Sequence, residues 1–116
     1  MFIATVVVSV LIAAFAAMSG VGKLRRAPAV VASMETVRFP LDRLWMLALV
    51  EFAGAAGVLV GLVWWPLGAA AATGLVVYFV CAVIAHVRVG DTRGLGAPLF
   101  PLVLSVAALA LRLLTV

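Results

Sequence analysis

Residues 44–63, LWMLALVEFAGAAGVLVGLV, decide the fold of this chain. The stretch has the length of roughly 20 apolar residues that a helix needs to cross a bilayer, yet it contains one carboxylate, Glu51. An ionised carboxylate at membrane depth costs about 2.5–3.5 kcal/mol on insertion scales, so it normally faces a bundle interior and finds a partner there. We therefore expect other spans to surround this helix and to supply a partner for Glu51.

The composition places the whole chain in the membrane-protein class. Of its 116 residues, 68% are hydrophobic and 10% are charged, which lies far outside the range of soluble domains. Three more apolar segments of spanning length, residues 2–21, 67–87 and 97–116, accompany the central one. The sequence thus predicts an all-α fold in which residues 1–116 form a single integral membrane domain, a transmembrane four-helix bundle.

Breaker and interface residues predict where the spans end. Gly20 and Gly22 should weaken the first helix near its end, and Asp42 is a candidate N-cap for the second. Residues 64–66, WWP, predict a turn at the opposite interface, where Trp is favoured. Arg112 lies close enough to the end of the last span to extend its charge to the membrane surface.

The basic residues predict the orientation. Five Lys and Arg residues lie in the connection 23–43 and two in 88–96, whereas the turn at 64–66 has none and Arg112 alone lies on that other side. By the positive-inside rule, connections 23–43 and 88–96 lie on the cytoplasmic side of the plasma membrane and both termini lie on its outer side. Since this charge lies at the ends of spans, it indicates contact with a lipid bilayer and argues against nucleic-acid binding.

The connection between the first and second spans has its own helical pattern. Val30, Val31, Met34 and Val37 recur at helical spacing in APAVVASMETVRF. We expect a short helix that lies in the inner membrane interface, and the alternative is a solvated loop.

Small and polar residues form a stripe on each of the first three spans. The stripes comprise Ser9, Ala13, Ala16, Gly20 and Lys23 on the first span, Glu51 and Gly54 beside the row Ala53, Gly57 and Gly61 on the second, and Gly74, Tyr78, Ala82 and His86 on the third. If these stripes face one another, Lys23, Glu51, Tyr78 and His86 form a buried polar cluster. A rise of 1.5 Å per residue puts Glu51 roughly 10 Å inside the membrane, within reach of Lys23 or His86.

Two interpretations of the cluster stay open: it stabilises the bundle as an ion pair, or it handles protons beside a bound quinone. His86 alone is more typical of a hydrogen-bonded residue than of a metal ligand, so no metal is predicted. Cys81, the single cysteine, excludes an intrachain disulfide and should behave as a small buried apolar residue. For Arg25, Arg26, Arg88 and Asp91, the alternatives are contact with lipid headgroups and a role at helix ends.

Four segments resemble the DoxX-like family of small four-helix membrane proteins. They are SGVGKL at 19–24, FPLDRLWMLALVEFAGAAGVLVGL at 39–62, the WWP turn, and AHVRVGD at 85–91. The resemblance implies that Lys23, Glu51 and His86 match recurrent family positions, and that the chain is an accessory or anchoring subunit of a larger membrane complex. Named members are associated with quinone-linked oxidation of sulfur compounds and with membrane-bound oxidoreductase complexes that protect against oxidative stress. The resemblance therefore makes quinone a candidate cofactor, although the residues themselves identify none. The absence of a cysteine pair argues against direct thiol chemistry by this subunit.

No nucleophile with a base and an orienting group is visible, so an enzyme is not indicated beyond a subunit of a membrane oxidoreductase. One alternative is a proton-coupled transporter, because small multidrug resistance proteins also have four spans and one membrane-embedded glutamate. Their acid lies in the first helix, however, whereas Glu51 lies in the second. A lipid-handling or assembly factor that shields other transmembrane helices is a further alternative.

Overall fold

The computed structural model describes residues 2–92 and 95–115 of the chain. Arg93, which contributes to the charge count above, and Val116, the predicted end of the fourth span, lie outside these residues. The elements are α1 (Phe2–Leu24), α2 (Pro28–Thr36), a 3₁₀ turn (Leu41–Arg43), α3 (Leu44–Val60), α4 (Trp65–Arg88) and α5 (Gly96–Leu114). Four helices, α1, α3 with the preceding 3₁₀ turn, α4 and α5, are long and apolar enough to cross a membrane. The predicted all-α fold, with a short helix between the first two spans, is confirmed.

The end of α1 differs from the prediction. The helix continues through both glycines to Leu24 and stops at Arg26, whose φ of 51° is left-handed. There the Ala27 N–H donates to the Gly22 carbonyl at 3.0 Å, which is the six-to-one bond of a Schellman motif. Gly20 serves close packing instead, since a Cβ atom at this position would lie 2.9 Å from the Phe52 ring on α3.

Two boundaries of the second and third spans also differ. Asp42 lies inside the 3₁₀ turn, and the N-cap position of α3 is Arg43, without a side-chain capping bond. The α3 helix ends at Val60, so the turn comprises residues 61–64. Trp65 and Pro66 begin α4, because the first turn of a helix tolerates a residue that lacks an N–H.

The four long helices close into a bundle. Each packs against two neighbours in the cyclic order α1, α3, α4, α5. The buried centre holds mostly small and aliphatic side chains, namely Ile12, Ala13, Ala16, Ala55, Val58, Ala72, Leu75, Phe79 and Ala108. The outer faces are also apolar, with Leu49, Val77 and Val103 each more than half exposed. Such a surface suits a lipid environment, where apolar groups face the acyl chains.

One end of the bundle joins the start of α1, the turn after α3 and the end of α5. Thr5 Oγ1 lies 3.3 Å from Thr115 Oγ1, so the start of α1 and the end of α5 are on the same side. Arg112 does not extend outward as expected: it is 7% exposed and donates to the carbonyls of Gly61 at 3.3 Å and Thr115 at 3.0 Å. The guanidinium turns inward because these carbonyls lie near the C-terminal ends of α3 and α5, where a helix dipole favours a cation.

Candidate functional site

An ion pair between α1 and α3 forms the centre of the candidate site. Lys23 Nζ lies 2.5 Å from Glu51 Oε1, and the two side chains are 9% and 0% exposed. The pairing follows from local sequence: α1 carries Lys23 on the same buried face as Ala13, Ala16 and Gly20. A charge-assisted bond of this kind is stronger than a neutral hydrogen bond, and it leaves neither charge alone in an apolar interior.

Two hydroxyl groups add hydrogen bonds to the pair. Tyr78 on α4 donates its hydroxyl proton to Glu51 Oε1 at 2.9 Å. Lys23 donates to Ser19 Oγ at 2.8 Å, one helical turn earlier on α1. Three helices therefore meet at one carboxylate oxygen. We call Lys23, Glu51 and Tyr78 with Ser19 the polar cluster.

The second carboxylate oxygen of Glu51 has a different environment. Oε2 is buried and lacks a hydrogen-bond partner among the described residues. A buried acceptor without a donor is costly, commonly about 1–3 kcal/mol. Glu51 Oε2 can therefore accept one more hydrogen bond.

The α4 stripe lies partly elsewhere than predicted. Gly74 is exposed, and a Cβ atom added there would meet nothing within 4 Å. The inward face of α4 carries Gly68, Ala72, Leu75, Phe79 and His86, since a step of four drifts around a helix with 3.6 residues per turn. Tyr78 is half-buried at the edge of this face and packs edge-on against Phe79, with ring centroids 5.0 Å apart.

His86 lies apart from Glu51 and pairs with Asp91. Its Nδ1 atom is 2.8 Å from Asp91 Oδ2, and the histidine is 5% exposed. The α4 terminus creates this pair, because Gly90 adopts a φ of 71° and Asp91 N–H donates back to the His86 carbonyl at 2.9 Å. Asp91 thus orients the imidazole at the end of α4.

A cleft of about 480 Å³ connects the two polar pairs. Lys23, Tyr78 and His86 all line it, with Ser19 and Ser33, and its volume is typical of a small-molecule site. The remaining walls are mainly apolar and include Phe15, Met34, Val37, Phe39, Leu47, Phe79 and Pro98. The cleft thus offers a few hydrogen-bonding groups within an apolar enclosure.

Helix α2 forms part of the wall of this cleft. All nine of its residues are half-buried or exposed, and Val30, Ser33 and Met34 border the cleft. Both ends of α2 adjoin arginines in the left-handed region, Arg26 at φ 51° and Arg38 at φ 62°. The short helix is therefore tied to the bundle through its two ends more than through a buried face.

The other predicted site residues lie around the same end of the bundle. Arg25, Arg26 and Arg88 are exposed, and Arg26 donates to the Leu41 carbonyl at 3.4 Å. Cys81 is exposed rather than buried, and it is one of the residues that line the cleft. Within residues 2–92 and 95–115, no group of three or more His, Cys, Asp or Glu side chains is close enough to hold a metal ion.

Sequence reasoning missed three features of the site. Ser19 could have been found from its position four residues before Lys23, a spacing at which helical side chains meet. The bond between His86 and Asp91 depends on the turn at Gly90, and only the presence of a glycine indicated that turn. The sequence did not predict that α2 lines the cleft. The only indication was the helical spacing of the apolar residues Val30 and Met34.

These observations define a class of protein: a small multi-pass membrane protein with four spans and a buried ion pair between two of them. The chain belongs to the DoxX-like family, whose model matches residues 7–108. Comparison with curated proteins and with solved structures found no match.

Proposed function

We propose that this DoxX-like protein binds a quinone in the cleft beside the polar cluster and serves as an accessory subunit of a larger membrane complex. The observation that carries the proposal is the cleft itself, which combines apolar walls with Lys23, Tyr78 and His86. A quinone has an apolar tail and a head with carbonyl oxygens that accept hydrogen bonds. Lys23 has one N–H beyond those donated to Glu51 and Ser19, and this donor suits such a head. The Tyr78 oxygen, whose own proton goes to Glu51, can accept from a hydroxyl of the reduced head.

The residues fit a bound quinone in two further respects. Asp91 accepts at His86 Nδ1, so the other ring nitrogen is the one available to a ligand. The free lone pair on Glu51 Oε2 gives the cluster a place to hold a proton. A bound quinone would supply two-electron redox chemistry, and the residues of this chain would bind and orient its head.

The accessory role rests on the shape of the chain. Its described residues form spans and short connections, and the outer faces of the four long helices are apolar. Those faces can contact lipid or the spans of a partner. We place the end that carries Lys23, α2 and Arg88 in the cytoplasm, since six of the seven Lys and Arg residues that the structure describes belong to it.

The geometry gives less support to a proton-coupled transporter. In such a protein the carboxylate must bind a proton and the substrate in turn. Glu51 is 0% exposed, and it lies behind Lys23 and Tyr78, which line the cleft in its place. Of the small-residue row on α3 that suggested an assembly factor, Gly57 and Gly61 pack within the bundle, against Ala71 and Gly68, whereas Ala53 is exposed.

Purification from native membranes in mild detergent tests the proposal. We expect the wild-type protein to carry quinone and a stoichiometric membrane partner. Ala82→Trp, which fills the cleft from α4, should lose the quinone at least tenfold and keep the partner. The matched control is Ala70→Trp, an exposed alanine on the same helix, which should keep both.

The quinone bound per chain is measured by extraction, and partners are identified by mass spectrometry. Thermal unfolding of the two tryptophan variants establishes that both are folded. Equal quinone retention in Ala82→Trp and Ala70→Trp would contradict binding in the cleft. A purified wild-type chain that carries neither quinone nor partner would contradict the proposal as a whole.

A further inference from the structure

A second recess lies on the outer face of the bundle, where α1 meets the start of α2. It measures about 590 Å³ and is lined by eight of the residues between Ala17 and Pro28. Its apolar part consists of Ala17, Met18, Val21 and Gly22 on α1. Met18 is 72% exposed and Val21 is 43% exposed, so this face is directed at the membrane and away from the polar cluster.

The basic end of the recess carries two arginines. Arg25 and Arg26 follow the last turn of α1 and line the recess together with Ala27 and Pro28. Within residues 2–92 and 95–115, the ion pairs are Lys23 with Glu51 and His86 with Asp91, so neither arginine is neutralised by a carboxylate. Both side chains are exposed.

The recess therefore combines an apolar surface with two adjacent guanidinium groups. From Ala17 to Gly22 the apolar part extends about 8 Å along the helix axis, towards the membrane interior. Guanidinium groups match phosphate oxygens in geometry and charge, with paired N–H donors. A ligand that satisfies both parts has an acyl chain and a phosphate on the same molecule.

We propose that this recess binds one anionic phospholipid from the leaflet on the basic side of the bundle. The phosphate lies against Arg25 and Arg26, and an acyl chain follows Ala17, Met18 and Val21. Arg26 gives one N–H to the Leu41 carbonyl and keeps its other donors. Charge complementarity selects an anionic lipid over a zwitterionic one, since two cations without a carboxylate partner attract net negative charge. The recess is separate from the cleft, so this proposal does not depend on quinone binding.

Native mass spectrometry of the purified protein in detergent tests this inference. The probes are phosphatidylglycerol, phosphatidylcholine with the same acyl chains, and glycerol phosphate without chains. We expect one phosphatidylglycerol per chain, bound about tenfold more tightly than either of the other probes. The double variant Arg25→Gln/Arg26→Gln should lose about tenfold in affinity for phosphatidylglycerol.

Two further variants separate a built site from diffuse surface charge. Arg38→Gln/Arg43→Gln removes the same charge from the same end of the bundle but outside the recess lining, and should bind phosphatidylglycerol like wild type. Gly22→Leu fills the apolar part while it keeps both arginines; a Cβ atom there meets Val30 at an ordinary 3.6 Å. We expect Gly22→Leu to weaken phosphatidylglycerol binding and to leave glycerol phosphate binding unchanged.

Three results would overturn the inference. Equal losses in the two double arginine variants would assign the effect to overall charge. Equal affinity for phosphatidylglycerol and phosphatidylcholine would remove the role of the arginines as a selective site. Glycerol phosphate binding as tight as phosphatidylglycerol binding would mean that the apolar part of the recess contributes nothing.

Discussion

Glu51→Gln should lower the free energy of unfolding by about 3–5 kcal/mol, the range measured when one partner of a buried ion pair is removed. The amide keeps the shape of the side chain and can still accept from Tyr78, so the loss isolates the charge. Lys23 would then carry an uncompensated cation at 9% exposure. Reversible unfolding in mixed micelles of lipid and denaturing detergent measures the change.

A double-mutant cycle makes this prediction specific to the pair. Lys23→Met should also destabilise, because it leaves Glu51 charged in an apolar interior or forces it to take up a proton. The double variant Lys23→Met/Glu51→Gln should recover most of the loss, since no buried charge remains. The matched control is Glu35→Gln, an exposed acid on α2, with an expected change within about 0.5 kcal/mol. Additive losses in the double variant would mean that Lys23 and Glu51 do not act as an ion pair.

Gly61→Ala should destabilise the bundle more than any other substitution that adds a single methyl group. A Cβ atom at Gly61, just after α3, would overlap the backbone of Gly68 on α4. Backbone cannot rotate away as a side chain can, so the helices must separate or tilt. Overpacking usually costs about 1–3 kcal/mol, and this contact should lie at or above the upper limit.

The control for this substitution is Gly74→Ala on α4. A Cβ atom there meets nothing within 4 Å. Alanine also favours a helix over glycine by about 0.5–1 kcal/mol, so this variant should unfold at the same or a higher denaturant concentration than wild type. A Gly61→Ala protein as stable as Gly74→Ala would refute the close approach of the two helices.

Much of the fold follows from hydropathy and charge. A span of roughly 20 apolar residues is a strong signal, because every backbone polar group in lipid must be satisfied within the helix. The stripe of small and polar residues predicted the buried face of α1, because small side chains permit close packing. This stripe comprises Ser9, Ala13, Ala16, Gly20 and Lys23. The helix ends were less predictable, since Arg26 and Arg38 adopt the left-handed conformation that usually indicates glycine.

The candidate site was less accessible from sequence than the fold. Spacing along one helix identified Glu51, Lys23 and Tyr78 as inward candidates, but it could not determine which basic residue Glu51 meets. The partner of Glu51 depends on how α1, α3 and α4 are rotated relative to one another. The packing contacts between these helices determine that rotation. His86 instead meets Asp91 because the turn at Gly90 folds the chain back by five residues. Arg112 faces inward because carbonyls at two helix ends converge on it, a tertiary effect without a local signal.

Photo-crosslinking can locate the quinone that we propose to bind in the cleft beside the polar cluster. A quinone with a diazirine in its tail is irradiated with the protein in lipid nanodiscs, and the labelled residues are mapped by mass spectrometry. Our account predicts labels on cleft residues such as Phe15, Met34 and Ala82, and their loss with excess unlabelled quinone or in Ala82→Trp. Labels spread over lipid-facing residues such as Leu49, Val77 and Val103, without competition, would contradict it.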